Sequence, residues 1–93
     1  MSHENIPAGW APTEKTIHRT FPTKSFVHGV DFVTGIKDLA EAMNHHPDVI
    51  LTYPAVIVTL TTHDENAVTP KDLALAAQIN DLWDKAFALE TSA

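Results

Sequence analysis

At 93 residues the chain fits one domain with a modest core, and 44% hydrophobic, 8% aromatic and 19% charged residues describe an ordinary globular protein rather than a disordered one. Twelve acidic residues against six basic ones leave a net charge of −6, and the cations Lys15, Arg19, Lys24, Lys37, Lys71 and Lys85 form no stripe that could neutralise phosphates, which disfavours direct nucleic-acid binding. The absence of cysteine removes disulfides, thiolate nucleophiles and zinc–thiolate sites together, and no segment has the make-up of a secretory signal or a membrane span, so a cytoplasmic protein with no membrane partner is expected.

Residues 1–9 are polar and contain Pro and Gly, and read as a flexible tail ahead of a single domain over 10–93. From Trp10 to Phe21, WAPTEKTIHRTF alternates apolar and polar positions at Ile17 and Phe21, which predicts a short strand or hairpin turning near Pro12 to Glu14. The next segment is ambiguous. FVHGVDFV taken alone has strand character, and two glycines count against a helix. Over a longer window Phe26, Val30, Val33, Ile36, Ala40 and Met43 recur at three- and four-residue steps, Ser25 is a good N-cap and Pro47 stops the pattern, so a helix from about Ser25 to His45 is predicted.

DVILTY and AVIVTLTTH are β-branched runs that read as two strands broken at Pro54, whose missing N–H cannot join a sheet ladder. In the second, alternation puts Val56, Val58 and Leu60 on one face and Ile57, Thr59, Thr61 and His63 on a wetter one. The last helix opens on TPKD, where Thr69 can cap, Pro70 suits the first position and Asp72 can reach back to the cap. Leu75, Ile79, Leu82, Trp83, Ala86 and Leu89 then make an apolar stripe at helical spacing. Two helices on one face of a small antiparallel sheet give an α+β sandwich of two layers, a fold class that implies no function by itself.

The chemistry therefore falls to polar residues at element ends, where His45, His46 and His63 stand out. The residue before a proline is pushed out of the helical region, so His46 must leave the helix and the two neighbouring rings diverge. Both lie near a helix C-terminus, whose partial negative charge favours the imidazolium, and Glu41 four residues before His45 is placed to hold its ring. His63 follows a strand and can reach the same edge. Three imidazoles with threonine hydroxyls nearby suit a polar planar heterocycle on which protons are moved.

The motif E-x-x-x-H-H-P at Glu41 to Pro47, an aromatic at Tyr53, L-x-T-H at Leu60 to His63 and an aspartate opening the last helix at Asp72 resemble the signature of the pterin-4a-carbinolamine dehydratases. Gly9 and Trp10, F-x-x-K-x-F at Phe21 to Phe26 and Phe32 add to a resemblance that runs from about Gly9 to Phe87. It implies a four-stranded antiparallel sheet with helices on one face, assembled as a homodimer or homotetramer. It also implies dehydration of a pterin substrate, 4a-hydroxytetrahydropterin, to the quinonoid dihydropterin, with no metal or separate cofactor. By the same resemblance Asn44, His45 and His46 line one side of the pocket and Thr61, Thr62, His63 and Asp64 the other; His45 and His63 are the acid–base pair, His46 positions substrate and Glu41 orients His45. Asn44 stands where some members carry Asp, and a helix that longer members place ahead of the Gly–Trp pair has almost no residues here.

Blander roles compete for each residue. His3, His18 and His28 read as solvated or structural, Trp83 as core, Trp10 as packing or as a border of the pocket, Glu41 as an ordinary helix charge and Asp72 as a cap rather than a catalyst. Adjacent histidines diverge by about 100° on a helix and rarely chelate one ion, which weakens a three-histidine metal site. A non-catalytic, protein-binding member of the same fold, acting as a dimerisation cofactor or an enzyme assembly factor, is the main alternative; the retention of all three histidines leans toward catalysis.

Overall fold

The alternation of IHRTF is realised in strand β2, Ile17–Phe21, whose two ends are fully buried while Thr20 faces solvent. In the computed structural model, which describes residues 5–87, β1 (Ala11–Pro12) and β2 are followed by helix α1 (Phe26–Met43), strands β3 (Asp48–Leu51) and β4 (Val56–Leu60), and helix α2 (Pro70–Leu82). The helical path continues as a wider π-type turn over Trp83–Phe87. The strands form one antiparallel sheet in the order β1-β2-β4-β3, giving the four-stranded α+β sandwich that the sequence predicts. Leu89 and His3 lie outside the described residues, and among those described no helix is long and apolar enough to cross a membrane.

Both turns follow local chemistry. The β1–β2 turn spans Thr13 to Thr16, where the Thr13 N–H donates to the Thr16 carbonyl at 2.8 Å and the Thr16 N–H to the Thr13 hydroxyl at 3.1 Å. The β3–β4 turn closes around Pro54, with the Thr52 N–H donating to the Ala55 carbonyl at 2.9 Å. Register then places Ile17 opposite Leu60 and Phe21 opposite Val56, so one face of the sheet carries Ile17, Phe21, Val56, Val58 and Leu60, all fully buried. Each such side chain contributes about 1.5–3 kcal/mol by leaving water. Phe21, Phe32 and Trp83 meet over this face with ring centroids 4.8 to 5.3 Å apart, in the tilted and edge-on geometries aromatic rings favour.

Helix α1 buries the stripe its apolar spacing suggests from Val33 to Met43 but departs from it in its first two turns. Gly29, Phe32, Ile36 and Ala40 face the core, whereas Phe26 is 51% and Val30 41% exposed. The glycine explains the departure: a Cβ on Gly29 would lie 2.6 Å from Leu51 Cδ1, so the bare backbone is what lets α1 settle onto β3. Gly35 does the same towards α2, where a Cβ would lie 2.7 Å from Leu82 Cδ2. The two glycines that count against a helix on propensity are thus contact points of the helix that forms.

Arg19 sits between Ile17 and Phe21 on β2 and is half-buried. Its guanidinium lies 4.4 Å from the Phe21 ring centroid and donates to Asn80 Oδ1 at 2.6 Å and to the Ala8 carbonyl at 3.3 Å. Burial lowers its pKa, an effect that the nearby Asp84 charge opposes. Trp10 Nε1 donates to the same Asn80 oxygen at 2.8 Å, and Asn80 Nδ2 donates to the Ala8 carbonyl at 2.9 Å. These bonds, with Ile6 packed against the core, hold residues of the segment assigned to the tail against β2 and α2, and they make Trp10 a packing residue.

Gly9 has φ +88°, and a Cβ there would lie 2.7 Å from Arg19 Nε. Gly9→Ala should therefore lose about 1–2 kcal/mol from backbone strain and a displaced guanidinium, read as a fall of several degrees in Tm.

Candidate active site

Helix α1 stops two residues earlier than the spacing predicts. Asn44 takes the left-handed conformation, φ 51° and ψ 45°, and its N–H donates to the Glu41 carbonyl at 3.2 Å while the His45 N–H donates to that of Ala40 at 3.1 Å. Asn tolerates this conformation better than most residues, and Pro47 denies His46 a helical backbone, so the chain leaves the helix before the histidines. The turn sends the two rings apart. His45 goes inward and is 9% exposed, while His46 faces solvent.

This overturns the expected pairing of Glu41 with His45, which presumed an unbroken helix. Glu41 Oε2 instead meets His46 Nε2 at 2.6 Å, across a pair exposed on both sides. Such a pair holds a ring in place more than it stabilises the fold, being worth about 0–1 kcal/mol.

The partner of His45 is Asp72, whose Oδ1 lies 2.6 Å from His45 Nε2. Asp72 is fully buried, and its other oxygen, Oδ2, accepts from the Thr69 N–H at 2.9 Å and from the Thr62 hydroxyl at 2.8 Å. It therefore caps α2 as the sequence predicts, and performs a second task there that spacing did not reveal. An ionised carboxylate only accepts, so with Asp72 in that form Oδ1 is the acceptor and His45 Nε2 carries the proton. The Nδ1 lone pair of His45 is then left for the cleft. The signal for this pairing lay in the family signature, which includes Asp72, and not in any local pattern.

His63 is not at the end of a strand. Strand β4 ends at Leu60, and an isolated bridge between Thr62 and Ala67 encloses a turn in which Asn66 is left-handed, φ 53°. The turn carries His63 and Asp64 out over the loop after α1. Asn44, His45, His46, His63 and Asp64 there line one cleft of about 220 Å³, bringing together five of the residues expected at the site. Among the described residues the His63 ring has no hydrogen-bond partner. Glu41 lies behind His46, on an adjoining apolar slot of about 200 Å³ that also involves Ile36, Ala40 and Val49.

The two threonines expected to line the pocket are not on this cleft. The Thr61 hydroxyl donates to the Lys15 carbonyl at 2.7 Å, and the buried Thr62 hydroxyl is turned away to Asp72 and to Thr69 Oγ1, at 2.8 and 2.6 Å. Among the described residues no group of three or more His, Asp or Glu side chains is placed to hold a metal ion. The arrangement provides one ring held on a buried carboxylate, one held on an exposed carboxylate and one unengaged, around a polar cleft open to solvent.

Residues 2–82 match the family model described as pterin 4 alpha carbinolamine dehydratase. A protein of Sulfurisphaera tokodaii provisionally named a pterin-4-alpha-carbinolamine dehydratase is 42% identical over 78 residues, covering 84% of each chain. One from a Picosynechococcus species, with the same provisional name, is 41% identical over 73 residues, covering 78% of this chain and 79% of the other. The crystal structure of a transcriptional coactivator/pterin dehydratase from Brucella melitensis superposes with a TM-score of 0.76 at 35% identity, over 81% of this chain and 82% of that one. A pterin dehydratase-like protein described as a RuBisCO assembly factor in the alpha-carboxysome superposes with a TM-score of 0.65 over 87% and 95% of the two chains, and at 18% identity it shares the fold. By the extent of its family match and its identity to these relatives, the chain belongs to the pterin 4 alpha carbinolamine dehydratase family.

Proposed function

We propose that this protein is a hydro-lyase that dehydrates 4a-hydroxytetrahydropterin to quinonoid dihydropterin by histidine general acid–base catalysis, as part of tetrahydropterin recycling. The observation that carries the reading is the cleft in which His45, held by Asp72 through Nε2, faces the unengaged His63. Loss of water needs a proton delivered to the departing 4a hydroxyl and one removed from the ring nitrogen system. His45, with Nδ1 free of the carboxylate, takes the base role and accepts the ring proton. His63 donates to the hydroxyl, which leaves as water, so proton and oxygen balance without a co-reactant. His46, steadied by Glu41, and Asn44 and Asp64 position the pterin at the rim.

The assembly that accompanies this reading is a homodimer or homotetramer in the cytoplasm. Phe26, Val27, Val30, Ile50 and Tyr53, all exposed, supply apolar surface for such an assembly to cover.

The test follows ultraviolet absorbance as freshly generated 4a-hydroxytetrahydropterin dehydrates, with metal-free protein. Wild type should exceed buffer clearly, and His63→Ala, on an exposed turn, should keep its Tm and lose about a hundredfold in rate, within the range for removing a general acid. A wild-type rate no better than buffer would overturn the enzyme reading and turn attention to protein partners.

A further inference from the structure

Thr62, one of the two threonines expected in the pocket lining and found off the cleft, is buried, and its hydrogen bonds define a chain of contacts with a fixed direction. Its hydroxyl is 8% exposed at the residue level, 2.8 Å from Asp72 Oδ2 and 2.6 Å from Thr69 Oγ1. An ionised carboxylate accepts only, so the Thr62 proton must go to Asp72. Thr69 Oγ1 must then donate to the Thr62 oxygen. The Thr69 N–H fills a second position on Oδ2 at 2.9 Å, and Oδ1 is left with the His45 ring at 2.6 Å.

A carboxylate fastened only by the Thr69 amide would be free to turn about its Cβ–Cγ bond. The Thr62 hydroxyl gives Oδ2 a second fixed point on another element, in the segment after β4, and thereby aims Oδ1 at His45. Hydrogen bonds to a charged acceptor are the strong ones, at about 1.5–3 kcal/mol, and they act here at a site sealed from water.

We infer that Thr62 is a positioning residue, not a substrate-binding one: it fixes the Asp72 carboxylate, which in turn fixes the proton and the orientation of the His45 ring. The kinetic part of this inference rests on the dehydratase reading. The contact chain itself does not.

The substitutions that test it are Thr62→Val, which keeps shape and removes the hydroxyl, and Thr62→Ser, which keeps the hydroxyl. Proton NMR of the histidine rings, with assignment by comparison with His45→Gln, should show the His45 Nε2–H as an exchange-protected, downfield resonance in wild type and Thr62→Ser. Thr62→Val should lose that protection while retaining the dispersed amide spectrum of a folded domain. In the dehydration assay Thr62→Val should lower kcat by about tenfold with KM within about twofold of wild type, and Thr62→Ser should restore kcat; an oriented group misplaced at one remove costs part of the two to four powers of ten that acid–base assistance supplies. In a background of Asp72→Asn the same change should leave kcat where it is, since the two act as one unit.

A folded Thr62→Val that keeps the protected His45 proton, or that raises KM with kcat intact, would overturn the inference, the second result returning Thr62 to the substrate. If wild type shows no dehydratase activity, the NMR comparison alone decides, so failure of the enzyme reading and failure of this one are told apart. Should Thr62→Val not fold, loss of the His45 resonance in a folded Thr62→Ala supports the inference and its persistence overturns it.

Discussion

His45→Gln should remain folded and lose about two to four powers of ten in dehydration rate. The glutamine side-chain amide can still donate to the buried Asp72 carboxylate, so the charge keeps a partner, but no group remains that takes up and returns a proton near neutral pH. His45→Ala differs instructively. It leaves Asp72 Oδ1 with a void where the ring stood, and an unpaired buried acceptor costs about 1–3 kcal/mol beyond the lost packing. The pair of variants separates chemistry from structure: equal rates with unequal denaturation midpoints are expected, measured by urea titration beside the absorbance assay. A His45→Gln rate within about threefold of wild type would remove His45 from the acid–base pair, since general acid–base groups are worth far more than that.

Asp72→Asn should damage both the fold and the site. A carboxylate serves Thr62 and the Thr69 amide with one oxygen and His45 with the other. An amide has one acceptor oxygen and one NH2 group, so one side must be left facing a donor with a donor. If the oxygen keeps the cap, the NH2 meets His45 Nε2 and forces the ring into the other tautomer, with Nδ1 protonated and no lone pair toward the cleft. If the ring keeps its bond, the Thr69 N–H is orphaned at the start of α2, while the Thr62 hydroxyl must turn to accept from the amide. Either way about 1–3 kcal/mol of stability should go, and in the first case at least a hundredfold in rate with it. Denaturant midpoints and initial rates measured on the same preparation check both losses, and a variant with the midpoint and rate of wild type would show that Asp72 does neither job.

Much of this molecule could be read from local pattern. The strands at Ile17, Asp48 and Val56, the Ser25 and Thr69 caps and the break at Pro54 each follow from residue types acting on their near neighbours, and each formed as expected. What escaped has a common cause. Counting apolar residues along α1 favours Phe26 and Val30 over Gly29, because a glycine that allows close approach has no side chain to count. Apolar spacing puts the end of α1 two residues late because it follows hydrophobic periodicity and passes over Asn44, a residue suited to the left-handed turn that ends a helix. That shift alone moved Glu41 from one imidazole to the other. The His45–Asp72 bond joins residues 27 apart, through the packing of α2 against α1, and no window of sequence contains both.

The left-handed turn at Asn44 carries a consequence for how this chain can change. Connections between elements usually absorb insertions and deletions, being exposed and weakly constrained. The stretch from Met43 to Pro47 has the look of such a connection, yet it works as a ratchet: one residue more or one fewer would advance the pair of rings by a notch and deliver the wrong imidazole, or none, to the buried carboxylate. Its length is therefore fixed by the site, although of its five residues only His45 is buried.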